Sequence, residues 1–203
     1  GNVTTAAADN ANDLNITVNA SGTNDGDNSI LSLKGNVAID NGTITLTSDA
    51  DDIAILEFSG TAAQSSNADV IITTDNTSIL KNTNTGGTVT ISAPVGVDTK
   101  GLASMQIDAD ARLTVQGADG GAASTFDVVG NVDNGSGAAG GTLDLTGGDG
   151  SGTTAGGAMT LGTITGNATL TTLNVTGGAG AAGASGAAGG AGLRGAVDPG
   201  GGD

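Results

Sequence analysis

The sequence predicts an all-β chain, wound as a parallel β-solenoid (β-helix), with a glycine-rich C-terminal tail. Three observations carry this. A short phrase returns at a fixed interval: Leu113-Thr-Val-Gln-Gly117, Leu143-Asp-Leu-Thr-Gly147 and Leu173-Asn-Val-Thr-Gly177 start 30 residues apart, and a fixed period means stacked, similar units. Strand-like runs recur every 10 to 15 residues or so between connectors of Asn, Asp, Gly and Thr, with no helical periodicity. The 203 residues include no Trp, Tyr, His or Cys and only two Phe, Phe58 and Phe126. Val, Ile, Leu and Ala must therefore fill the core, and small aliphatic side chains suit thin, repetitive layers.

Residues 1–112 read as a strand-rich region. Leu14-Asn-Ile-Thr-Val18 alternates, so Leu14, Ile16 and Val18 share one face of a strand. Thr23-Asn-Asp-Gly-Asp-Asn28 follows as turn chemistry. Strands are expected at Ile30–Leu33, Val37–Ile39, Thr43–Thr47 and Ile53–Phe58, separated by Lys34-Gly-Asn36, Asp40-Asn-Gly42 and Ser48-Asp-Ala-Asp-Asp52. The pair Asn41-Gly42 creates a fork. If it closes a two-residue hairpin, the strands are antiparallel and the fold is a β-sandwich, which is the alternative. If it turns one corner of a coil, each strand pairs with neighbouring coils instead. Further strands are expected at Asp69–Thr73, Ser78–Leu80, Thr88–Ser92 and Met105–Ile107. Thr61-Ala-Ala-Gln-Ser-Ser66 comes nearest to a helix, and it is too short and polar to form one.

Residues 113–176 carry the 30-residue repeat. Leu113 and Val115, Leu143 and Leu145, and Leu173 and Val175 each send two apolar side chains to one strand face, while Thr114, Asp144 and Asn174 point the other way. Gly117, Gly147 and Gly177 then end each strand, where the freedom of glycine to take positive φ suits a tight corner. Residues 177–203 change style. Gly177, Gly180, Gly183, Gly186, Gly189, Gly192 and Gly195 fall at every third position, with Ala dominating between them and no proline before Pro199. That spacing fits a polyglycine-type extended helix or a flexible low-complexity linker.

The formal net charge is −16, and Glu57 is the only acidic residue that is not Asp. Such a surface repels nucleic acid and anionic membranes, and no run is long and apolar enough to insert in a bilayer. Without cysteine there are no disulfides and no thiolate chemistry, in keeping with an extracellular site. The chain starts at Gly1 and shows no signal-peptide pattern, as expected of a portion of something longer. Without His or Cys there is no imidazole base, thiolate nucleophile or histidine metal site. A pair of Asp residues is able in principle to hydrolyse a glycosidic bond. A chain without Trp or Tyr, and with five basic residues, lacks the platforms of a sugar cleft, so no enzyme is expected.

The only cofactor the sequence suggests is calcium, which takes six to eight oxygens, and Asp-rich glycine turns supply them. Asp25 with Asp27, Asp49 with Asp51 and Asp52, and Asp108 with Asp110 are the candidate groups. None has the spacing or closing Glu of an EF-hand. Gly147-Gly-Asp-Gly-Ser-Gly152 begins like the calcium repeat of β-rolls, but Gly152 stands where a ligand Asp is needed. In-register stacking of the repeat would set Asp119 beside Asp149, with Ala179 third in line.

The Leu-x-Val-x-Gly-type phrases at 113, 143 and 173 and the Asn41-Gly-Thr-Ile-Thr-Leu46 run resemble the repetitive segments of bacterial surface proteins, autotransporter passengers and haemagglutinin-like adhesins among them. The resemblance implies a right-handed parallel β-helix displayed on the bacterial cell surface. The expected function is a structural subunit of an extracellular fibre, sheath or surface layer, assembling with copies of itself through β-strand edges. Two alternatives are an adhesin domain that binds a host, surface or glycan ligand, and a pilin-like subunit whose Gly1–Val18 segment completes a neighbour's sheet.

Overall fold

The computed structural model describes residues 3–4, 14–20, 26, 28–39, 42–49, 51–72, 77–92, 95, 101–117, 124–126, 128, 130–147, 159–161 and 167–176. Every regular element among them is a strand. The first coils run β1 (Val3–Thr4); β2 (Leu14–Ala20), β3 (Asn28–Leu33) and β4 (Val37–Ile39); β5 (Gly42–Ser48), β6 (Ile53–Phe58) and β7 (Gln64–Ser66). Next come β8 (Asp69–Ile72), β9 (Ser78–Asn82) and β10 (Thr88–Ile91), then β11 (Ser104–Ile107) and β12 (Arg112–Gln116). The last are β13 (Ser124–Phe126), β14 (Val132–Asp133) and β15 (Gly140–Thr146), then β16 (Met159–Leu161) and β17 (Leu170–Thr176).

No strand pairs with its successor in the chain. Among the described residues every strand pairs in parallel with a strand of the coil before, the coil after or both, which is a parallel β-solenoid with three faces. The leading face holds β2-β5-β8 and, further along, β13-β16; the middle face holds β3-β6-β9-β11-β14; the closing face holds β1-β4-β7-β10-β12-β15-β17. The β-sandwich alternative is thereby set aside, and the fork at Asn41-Gly42 resolves. Gly42 opens β5 at a φ of 130°, and β4 pairs with β1 and β7 while β5 pairs with β2 and β8. The glycine turns a coil corner instead of closing a hairpin.

Stacking brings like side chains into columns. Leu31, Leu56, Leu80, Met105 and Val132 face one another through the middle face, ending at a bridge to Ala168. On the closing face Val89, Leu113, Leu143 and Leu173 form one inward column, and Ile91, Val115, Leu145 and Val175 the next. The 30-residue phrase is thus one rung seen three times. Each fully buried Leu, Ile or Val in these columns contributes about 1.5–3 kcal/mol. Among the described residues the buried apolar side chains are Val, Ile, Leu and Ala apart from Phe58 and Met105, both fully buried.

Coil length varies while register does not slip. Thr90 to Thr114 on the closing face is 24 residues, whereas Thr114 to Asp144 and Asp144 to Asn174 are 30 each, and the sheet continues unbroken across the change. Part of the extra length lies in the corner between β14 and β15, which takes residues 134–139 where the corner between β11 and β12 takes 108–111. Where corners pack closely, glycine is required: a Cβ on Gly86 would lie 2.3 Å from the Thr61 carbonyl oxygen, one on Gly141 2.1 Å from that of Ala111, and one on Gly130 1.7 Å from that of Ala103.

Two expectations need correction. Thr61–Ser66, read as no element at all, contains β7, a strand whose inward residues are Gln64 and Ser66. Its neighbours above and below dictate the pairing, and propensity does not. The strands do end at Gly117 and Gly147, but neither glycine has positive φ. Instead each extends the ladder by one bond, Gly117 N–H donating to Thr146 O (2.8 Å) and Gly147 N–H to Thr176 O (2.9 Å). Gly177 and the glycine-triplet tail at 177–203 lie outside the described residues.

Candidate functional site

Three polar constellations and one strand edge stand out. The first is a corner between the middle and closing faces, built from Gln64, Asn82 and Asn84, all 2% exposed or less. Gln64 Nε2 donates to Leu33 O (2.8 Å) and Gly35 O (3.0 Å), and its Oε1 accepts from Gly60 N–H (3.1 Å). Asn84 Nδ2 donates to Ala62 O (2.7 Å) and to Gln64 Oε1 (3.0 Å), while its Oδ1 accepts from the N–H groups of Gly86 and Gly87 (3.1 Å each). Asn82 Nδ2 donates to Arg112 O at 3.0 Å and its Oδ1 accepts from Asn84 N–H. Four successive coils are tied together by these three amides. Their polar atoms replace the bonds that corner backbone would otherwise lose on burial.

The second lies on the outer side of the closing face, where Ser65, Thr90, Thr114, Asp144 and Asn174 form one column. Asp144 accepts from Arg112 Nε on the rung before and from Asn174 Nδ2 (2.7 Å) on the rung after, with Thr114 Oγ1 at 3.5 Å. Partial burial pulls the Asp144 carboxyl upward, but the bonds from Arg112 and Asn174 outweigh it and hold it below the ordinary aspartate range. The sequence showed Asp144 only as an outward strand residue; its partners are 30 and 32 positions away and become neighbours through the coil.

The third is on the outer side of the middle face. Glu57 accepts from Ser32 Oγ (2.7 Å) and pairs with Lys81 Nζ (3.5 Å) directly across one rung. Half-exposed pairs of this kind contribute little on their own.

The described acidic residues singled out for calcium sit at two corners. Asp49 and Asp51 are exposed at the corner between β5 and β6, while Asp52, 2% exposed, accepts from Gly26 N–H at 3.1 Å. Asp108 and Asp110 sit at the corner before β12, and the Asp108 carbonyl accepts from Ala111 N–H. Asp25 and Asp27 lie outside the described residues, as do Asp119 and Asp149. Among the described residues no three acidic side chains come together in a way that would hold a cation.

The edge is β17. It is seven residues long, it is the last strand of the closing face, and among the described residues no strand pairs beyond it. Leu173 and Val175 continue the two inward columns, yet they are 40% and 45% exposed where Leu143 and Leu145 beneath them are 1% and 2%. The contrast measures what one more rung would cover. Backbone groups on the open side of such a strand form a template for pairing with another chain.

No family model matches this chain, and neither a curated protein nor a solved structure matches it.

Proposed function

We propose that the chain is a structural subunit of an extracellular fibre, sheath or surface layer, and that copies add to one another through the open strand edges at the ends of the stack. The observation that carries this reading is β17: a full-length strand, in register with two aliphatic columns, that leaves Leu173 and Val175 half uncovered. A further rung contributed by a second copy would bury both side chains and pair the open backbone edge. Uniform, in-register parallel rungs make such addition repeatable, because each added copy presents an edge in its turn.

The chemistry of the side chains supports a structural role. The buried amides serve coil corners, the outward carboxylates bond to neighbours on adjacent rungs, and the chain has neither His nor Cys to act as base or nucleophile. The test places a charge on the edge. Leu173→Lys should leave the β-sheet circular dichroism intact, since position 173 is 40% exposed, and should abolish filaments seen by electron microscopy of the parent chain. Equal filament formation by the variant would refute the edge mechanism.

A further inference from the structure

The three faces differ in what they show to solvent. On the leading face the outward residues of β2 and β5 are Asn15, Thr17, Asn19, Thr43, Thr45 and Thr47, with Asp69 and one isoleucine, Ile71, on β8; the closing face shows Ser, Thr, Asp and Asn in the column from Ser65 to Asn174, with Ala38, Arg112 and Gln116 also outward. On the middle face four outward positions, spread over the three successive strands β3, β6 and β9, are held by isoleucine. Ile30, Ile55 and Ile79 stand in one outward column, with Ile53 beside it, followed by Ser104 on the next rung. Ile30 is 58% exposed and the other three are half-buried. Local strand propensity does not account for a column of three, because Thr serves most outward positions on the other faces, where Ile71 has Thr45 as its neighbour on the rung before. An aliphatic column on a flat, solvated sheet marks a contact surface.

We propose that this face is a lateral contact between two copies of the chain, packed sheet against sheet and related by a half-turn about a line parallel to the strands. Charge selects the occupant. With a net charge of −16, two copies repel through their acidic corners, whereas the outward columns from Asn28 to Gln106 hold one Glu and one Lys. That makes the face locally neutral. The pair is also self-complementary. Glu57 and Lys81 occupy facing positions on adjacent rungs, so a half-turn centred between β6 and β9 sets Glu57 of one copy against Lys81 of the other, and Ile55 against Ile79. Stacked sheets pack about 10 Å apart, close enough for the isoleucines to interdigitate. This contact runs along the side of the stack, so it is independent of addition at the ends.

The absence of cysteine makes a clean cross-linking test possible. Full-length chains carrying either Ile55→Cys or Thr45→Cys are treated with a short bis-maleimide and read on a denaturing gel. The expected result is a covalent dimer from Ile55→Cys, at least about tenfold more abundant than from Thr45→Cys. Adding Ile79→Lys, at a half-buried outward position, should return the Ile55→Cys yield to the Thr45→Cys level with unchanged circular dichroism. Equal yields from the two cysteine positions, or an Ile55→Cys yield unaffected by Ile79→Lys, would overturn the lateral contact. Leu173→Lys should leave the cross-link in place, which separates this contact from growth at the ends.

Discussion

Single residues hold the corners of this molecule. Asn84 is fully buried and its amide serves four partners, so Asn84→Ala leaves the N–H groups of Gly86 and Gly87 and the Ala62 carbonyl unsatisfied. A loss of about 2–4 kcal/mol in urea unfolding is expected, since several buried groups lose partners at once. Ser78 is the opposite case. Its hydroxyl is fully buried without a partner, at a position where the rung before it, β6, carries Ala54. Ser78→Ala should therefore raise stability, by about 1 kcal/mol. Asp144 gives a pH dependence. Its carboxyl titrates below the ordinary aspartate range when folded, so its contribution is fully present above the unfolded value and is lost as pH falls through the folded one. Below about pH 4 the parent should lose more stability than Asp144→Asn does, as read from urea midpoints at stepped pH. The inward aliphatics were legible in the sequence because alternation fixes a side chain's face. The buried amides were not, because Gln64, Asn82 and Asn84 look like ordinary connector residues until coils 20 to 31 residues apart are stacked.

At the level of the element, glycine sets where coils touch. Gly86 and Gly141 lie against backbone atoms of the previous coil, and backbone there has no room to retreat. Either glycine changed to alanine should cost about 1–3 kcal/mol by thermal unfolding, whereas alanine at Gly137, which has open space but a φ of 79°, should cost less. Strand positions were read well wherever β-branched or leucine residues alternate, as at Ile53–Phe58, found at those limits. They were missed where the partner strands determine the pairing. Gln64-Ser-Ser66 has no strand signal of its own, yet it sits in register between Ala38-Ile39 and Val89–Ile91. The calcium candidates were chosen by proximity in sequence, and residues of one corner still face different ways: between β5 and β6, Asp52 turns inward to bond Gly26 while Asp49 and Asp51 face solvent.

Across the whole molecule, period was the most informative feature. The 30-residue spacing of Leu113, Leu143 and Leu173 predicted direct stacking, and their pairing is in register. The choice between parallel and antiparallel strands was not legible at Asn41-Gly42, because the same dipeptide suits a hairpin or a coil corner and only long-range pairing decides. A stack of thin aliphatic layers needs something to cover its last layer. Inside the stack the next coil does so; at β17 the proposed function gives that task to another copy. The most direct test is sedimentation velocity of the full chain over a range of concentrations, with electron microscopy of the same samples. The account predicts a mass that rises with concentration and filaments whose strands lie across the long axis, about 4.7–4.9 Å apart along it. A single monomeric species at every concentration, with no filaments, would contradict it.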